Sequence, residues 1–401
     1  MIKKLIVFLQ AGLFAIVLAV TSGCSSSSHM HAQQAYHMNQ AAPEINVAAA
    51  PRRIALLLPT TGPLSPYATA IRNGFFTAFY TQKKRLGYTP TITVYDTNGK
   101  NINGVYQMAV AQGADFIVGP LEKSSVEVLA NDHSLSVPVL ALNTTPAPPV
   151  NHRMIEFALS PTDEAKQAAI KAAQDLHHNA IVLAPHNAWG QRLANAFTQQ
   201  WNASGGTVVA TQFYRGMSTL AKNIRAVLQV QDDTHIDHGS KNVVGKKIKQ
   251  IPQHRQDFDM IFLVATSGMA KEVQPMLRFY FVDNVPIYST SQVYSPNESN
   301  DRDLDGILFC DMPWILSPAQ MQDYLRSMQQ QIQTLWPNHY HRLAKFYAMG
   351  VDAFDLTLKN NQLHAHAVIP GATGALSLSS HQTIDRQLQW ARMDDGVPRK
   401  V

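Results

Sequence analysis

Hydroxyl and amide side chains recur just beyond short apolar runs in this chain. Thr60 and Thr61 follow the run 54–58, Asn143 and Thr144 follow 137–141, Ser267 follows 258–265, and Ser289 and Thr290 end 286–289. In open α/β sheets ligands bind beyond the carboxyl ends of the strands, so these groups could hydrogen-bond a small molecule. An amino-acid site would also need an aromatic ring and a carboxylate, which Tyr288 and Asp311 could supply. The same residue types favour turns for their own local hydrogen bonds, and both readings stand at this point.

Other chemistries lack their patterns. Asp301, Asp303 and Asp305 alternate ahead of Gly306, but no bidentate Glu follows to complete a calcium loop. Sixteen histidines include the close pairs 177/178, 339/341 and 364/366, yet none has a partner at zinc-enzyme spacing. There is no Gly-Lys-Ser/Thr phosphate loop, no three-glycine dinucleotide fingerprint and no Gly-x-Ser-x-Gly elbow. No catalytic residue, metal or cofactor is therefore expected, and the protein reads as a non-enzyme.

The elements that would position the strand-end groups alternate regularly. Residues 54–58 are apolar without a break, as a strand buried on both faces requires. A helical stripe follows through Ile71, Phe75, Ala78 and Phe79. Strands are predicted near 91–95, 115–118, 137–141, 180–184, 207–213, 258–265 and 286–289, with helices between them. Ser160-Pro-Thr-Asp163 reads as a capped helix start, and Ser317-Pro-Ala-Gln320 as a second, opening a helix that runs to about residue 335. Residues 384–390 alternate apolar and polar, the mark of a half-exposed strand. Repeated β-α units imply parallel strands with right-handed crossovers. The expected architecture is α/β with two lobes, each a parallel sheet flanked by helices. Lobe 1 is expected to hold 51–158 and 309–366, and lobe 2 to hold 159–308 and 367–396.

The chain has 401 residues and a net charge of +5, which becomes +3 once Lys3 and Lys4 are removed with a leader. That is too mild for a nucleic-acid binder. Residues 1–23 read as a signal peptide: a positive start, an apolar run and small residues before Cys24. The Gly-Cys junction resembles a bacterial lipobox, with Thr21 in place of the usual Leu. Cys24 is the expected lipidation site, 24–50 a flexible tether to the membrane, and Ser25 after the cysteine implies sorting to the periplasmic face of the outer membrane. The other cysteine, Cys310, lies in an apolar run and reads as a buried structural thiol.

Several stretches, taken in order, resemble one family. They are Ile-Ala-Leu-Leu-Leu-Pro (54–59), Thr-Gly-Pro-Leu (61–64), Ala-Ile-Arg-Asn-Gly-Phe (70–75), Val-Tyr-Asp-Thr (94–97) and Gly-Ala-Asp-Phe-Ile-Val-Gly-Pro-Leu-Glu-Lys (113–123). Arg-Gln-Asp-Phe-Asp-Met-Ile-Phe-Leu-Val-Ala (255–265), Asp-Met-Pro-Trp (311–314) and Gly-Ala-Thr-Gly (371–374) continue the series. Together they resemble the C-terminal half of the LpoA/LppC-type lipoproteins, the penicillin-binding protein activators, over about residues 53–396. The resemblance implies a type I periplasmic-binding-protein fold used without transport. It also implies an outer-membrane lipoprotein that docks on a class A penicillin-binding protein and stimulates peptidoglycan crosslinking. In the long form of the family a helical-repeat domain stands between lipid and clamp, and here residues 25–50 hold that place. Lys246, Lys247, Lys249 and Arg255 in the polar insertion 231–256, with the loop 291–303, are the candidates for a partner surface, a solvated basic loop being the plainer reading. The alternative function is a solute-binding lipoprotein for an amino acid, a small peptide or a cell-wall fragment held in the cleft.

Overall fold

The structure is a computed structural model that describes residues 50–230, 254–280, 282, 284–296 and 301–401. A first sheet is built from β1 (Arg53–Leu58), β2 (Thr91–Asp96), β3 (Phe116–Val118), β4 (Val139–Ala141) and β5 (Met154–Glu156). All are parallel, in the order β2-β1-β3-β4-β5. The helices between them are α1 (Ser65–Leu86), α2 (Ile102–Ala111) and α3 (Lys123–Ala130). The unbroken apolar run of β1 is explained by its two burial partners. Ile54, Leu56 and Leu58 enter one core, while Ala55 and Leu57 enter another with α2 and α3.

The second sheet follows α4 (Pro161–Gln174). It contains β6 (Asn179–Pro185), β7 (Thr207–Tyr214), β8 (Met260–Leu263), β9 (Ile287–Ser289) and β10 (Ile307–Asp311), interleaved with α5 (Ala188–Ala203), α6 (Met217–Val227) and α7 (Ser267–Phe279). These strands are parallel, in the order β10-β9-β8-β6-β7. Ser160 caps α4 as its sequence suggests, its hydroxyl accepting from the Asp163 amide at 3.3 Å, with Pro161 in the first turn.

After β10 the chain forms α8 (Pro313–Leu316), α9 (Asp323–Leu335), α10 (Pro337–Leu358) and α11 (Asn360–His364). These helices join the first core through residues such as Trp314, Leu325, Tyr347 and Phe354. The crossing of α10 over α1 is held close by two glycines. A Cβ on Gly74 would lie 2.1 Å from the Tyr347 carbonyl oxygen, and one on Gly350 would lie 2.0 Å from that of Ile71. The motif at 70–75 thus carries a packing requirement at its glycine.

A small antiparallel sheet, β11 (Ile369–Pro370), β12 (Ala375–Leu378) and β13 (Ile384–Gln387), comes next, and Thr383 bridges to Glu156 at the end of β5. Then β14 (Gln389–Asp394) and β15 (Val397–Lys400) extend the second sheet antiparallel from β10.

Four expectations need correcting. Residues 309–311 were assigned to lobe 1 but belong to β10 of the second sheet, because Phe309 pairs with Ser289 and with Ala391. Residues 367–388 were assigned to lobe 2, but Ile369, Ala372, Leu376, Ile384 and Leu388 bury their side chains in the first core. The single strand expected over 384–390 is two strands of different sheets, parted at Leu388. The helix expected to open at Ser317 begins at Asp323 instead. The Ser317 hydroxyl is turned to Gln389 rather than to a helix amide, and 318–320 is only a 3-10 turn.

Candidate functional site

The chain passes between the two sheets at 157–161, 311–313 and 387–389, and the charged groups of interest gather there. Glu164 lies in the first turn of α4, Asp311 ends β10, Ser291 follows β9, Lys345 projects from α10 and Arg386 from β13. The Lys345 ammonium is 2.9 Å from Asp311 Oδ2 and donates to Ser291 Oγ at 2.7 Å. Ser291 in turn gives its amide to Glu164 Oε2 at 3.0 Å and its hydroxyl to Oε1 at 3.1 Å. Arg386 stands 4.0 Å from Glu164 Oε1 and donates to the Thr373 carbonyl. Asp311 is 1% exposed and Glu164 5%, so both carboxylates are cut off from water. Burial raises the Glu164 carboxyl above its ordinary value; Lys345 and Arg386 pull the other way, while Asp311 adds to the rise. The Cys310 thiol packs beside this cluster and is pushed well up by burial, with Glu164 and Asp311 adding to the shift, so it is inert in the way its sequence suggests.

Of the residues expected to face a ligand, Asp311 alone belongs to this network. Thr60 and Thr61 close the β1 turn onto Asp96: the Thr60 amide donates at 2.8 Å and the Thr61 hydroxyl at 2.9 Å. Asn143 donates to the Leu121 carbonyl and accepts from the Thr144 amide, which ties down its own turn. Ser289 donates to the Leu263 carbonyl at 2.6 Å inside the sheet. Ser267 is buried at the start of α7, and Thr290 is fully buried, with no hydrogen-bond partner for its hydroxyl among the described residues. Tyr288 points to the opposite end of the second sheet and donates to Asp175 at 2.6 Å. Asp175 lies eleven residues beyond Glu164 on the α4 line, about 16 Å along a helix. Thr60, Thr61 and Asn143 are thus engaged within their own turns, and Ser289 within its sheet.

Tyr288 instead lines a cavity of about 760 Å³ with Lys171, Asp175, Arg278, Asp305 and Arg392, at the amino ends of β9 and β10. A second cavity of about 410 Å³ lies at the carboxyl ends of β6 and β7, beside His186, Arg215 and Glu272. Of the aspartates before Gly306, Asp301 pairs with Lys271 at 2.8 Å and Asp305 accepts from the Gly396 amide. Among the described residues no group of His, Cys, Asp and Glu could hold a metal ion. Arg255 is spent locally in a forked pair with Asp257, both contacts at 2.6 Å. Lys246, Lys247, Lys249 and Cys24 lie outside the described residues.

Lys345 and Glu164 went unnoticed in the sequence. A lysine set among Leu343, Ala344, Phe346 and Tyr347 was the available signal, a charge inside a helical stripe that otherwise reads as buried.

The LppC lipoprotein family matches residues 34–396. The chain belongs to the LppC family. A penicillin-binding protein activator LpoA from Vibrio antiquarius is 30% identical over 356 residues, covering 85% of this chain and 57% of that protein. The LppC chain thus spans little more than half the length of the curated relatives it matches. The C-domain of LpoA from Haemophilus influenzae, described as a regulator of PBP1A, superimposes with a TM-score of 0.68 at 27% identity, covering 87% of this chain and 99% of that domain. A solute-binding protein from R. palustris in complex with 4-hydroxybenzoate superimposes at 0.53 with 14% identity over 87% of this chain and 95% of its own, a likeness of fold alone. The fold of this LppC protein is therefore the periplasmic-binding-like α/β fold that the sequence resemblance implied.

Proposed function

We propose that this chain is a non-enzymatic docking module that binds a class A penicillin-binding protein and stimulates its synthesis of peptidoglycan. In this reading, lipid on Cys24 holds it to the periplasmic face of the outer membrane and residues 25–50 act as its tether. The observation that carries the reading is the match along 99% of the LpoA C-domain, a regulator's domain, at 27% identity. The polar network at the junction supports it. A clamp built to receive an amino acid would keep a carboxylate for the ligand, whereas Asp311 already holds the Lys345 ammonium. Stimulation then requires that the module bind one conformation of the synthase better than another.

The test is binding of residues 51–401 to the purified periplasmic part of the class A synthases, with crosslinking followed alongside. Saturable binding with faster crosslinking is expected. Absence of binding to every such synthase, together with a small molecule that raises the melting temperature, would overturn the reading in favour of solute binding.

A further inference from the structure

We propose that Lys345 is an internal ligand of this fold: its ammonium group fills the charged junction between the two sheets and fastens them together without any solute. The argument starts from where each partner is anchored. Lys345 rides on α10, whose buried apolar side chains belong to the first core. Asp311 ends β10 and Ser291 lies two residues beyond β9, both of the second sheet, and Glu164 is carried by α4, which packs on that sheet. Lys345 therefore bonds across the boundary between the two cores.

The contact is needed electrostatically. Asp311 has its other oxygen on the Met312 amide of its own chain turn. A buried carboxylate left without a cation is strongly unfavourable, so removing the Lys345 ammonium would strand Asp311 as long as the junction stays closed and would favour its opening to water. Ser291 extends the same bond to Glu164, and Arg386 of β13 faces Glu164 from the first-core side. The side-chain amide of Gln167 adds a neutral pair of cross-links, to the Arg386 carbonyl at 2.8 Å and from the Leu388 amide at 3.0 Å. Lys345 is 27% exposed along its side chain, against 1% for Asp311, so the ammonium enters the junction from its solvent edge. The acceptor set of one carboxylate, one hydroxyl and a second carboxylate behind it suits any primary ammonium group. The proposal stands whether or not the chain binds a synthase.

Lys345→Met and Lys345→Ala are the variants that test it. Lys345→Met keeps the apolar stem and removes the charge. It is expected to melt about 5 °C lower at pH 8, with amide exchange at 157–161, 311–313 and 387–389 at least about tenfold faster. The titratable groups facing Lys345 are Glu164, Asp311 and Cys310, with Arg386 as the fixed charge. The deficit should therefore shrink as pH falls and the Glu164 carboxyl, raised by its burial, takes up a proton. Lys345→Ala opens room for a small amine, and n-butylammonium chloride should raise its melting temperature more than equal sodium chloride does, with no such difference in the parent protein. A Lys345→Met protein within 1 °C of the parent at pH 8 with unchanged exchange would overturn the proposal. So would a Lys345→Ala protein indifferent to butylammonium.

Discussion

The crossing of α1 and α10 gives a prediction whose size follows from the geometry. In Gly350→Ala the new methyl would stand 2.0 Å from the Ile71 carbonyl oxygen and 2.9 Å from the Phe75 nitrogen. A backbone carbonyl inside a helix cannot rotate away, so the two helices must part by about 1 Å to bring that contact out to the closest separation real methyl carbons show. A gap of that size forfeits a quarter to a half of each affected dispersion contact. Those contacts include the edge-on pair of Phe75 and Phe354, whose centroids are 5.1 Å apart, and that of Phe79 and Phe354 at 6.0 Å. Helix propensity works the other way, favouring Ala over Gly by about 1 kcal/mol. Overpacking of a tight core costs about 1–3 kcal/mol, and a clash with rigid backbone belongs at the upper end. The net loss should be about 2 kcal/mol, read as a melting temperature lower by about 3 °C for a body of this size. Gly74→Ala should behave alike, since its methyl meets the Tyr347 oxygen at 2.1 Å. One separation of the helices relieves both clashes, so the double variant should lose clearly less than the sum of the singles. Thermal and urea unfolding of the four proteins measure this. A single variant as stable as the parent, as propensity alone would have it, or strict additivity in the double variant, would refute the close-crossing argument.

Asp352 is fully buried and accepts from the amides of Ala372 and Thr373 at 2.7 Å each and from the Thr373 hydroxyl at 2.6 Å, yet burial pushes its carboxyl up to about 7. Between its ordinary value of 3.8 and that point the folded chain holds a proton that the unfolded chain has released. Stability from this group should thus fall as pH rises through that window and stay level above it; urea midpoints across pH 4.5–7.5 should slope less in Asp352→Asn, and an unchanged slope would count against the assignment. In residues 51–401 Cys310 is the single cysteine, and it should resist an aromatic disulfide reagent until denaturant is added; rapid labelling of the native protein would contradict its burial. Arg255→Lys loses the forked geometry with Asp257 and should lower stability only on the scale of an exposed ion pair, leaving synthase binding intact. Lost binding at unchanged stability would return Arg255 to a partner surface.

How far these features could be read from the sequence depended on how local their causes are. The run 54–58 announced a doubly buried strand because its neighbours on both faces are apolar, and Ser160-Pro161 announced a helix start because cap and helix are adjacent. Ser317 misled for the opposite reason: its hydroxyl is claimed by Gln389, 72 residues away. The break at Leu388 was hidden because β13 and β14 share one alternating pattern, while the sheets they join are decided by distant strands. Lys345, Asp311, Glu164 and Arg386 come from four separate elements, and no spacing within any one of them marks the meeting. The motif Gly-Ala-Thr-Gly (371–374) marked the family resemblance but not the seat of Asp352, to which a Cβ on Gly371 would come within 2.8 Å.

The return of the chain after Leu388 also sets an order of events for a polypeptide that emerges from its amino end. Strand β10 bonds to β9 on one side and to β14 on the other, so one whole edge stays open until residues 389–394 arrive. An open, apolar edge is a site for mispairing with other chains. The first core waits in the same way for α10, whose residues lie some 270 positions beyond their partners on α1. Neither half can be finished and set aside while the other forms. The protein should therefore gain its protease resistance in one late step, as the last strands are delivered, rather than lobe by lobe.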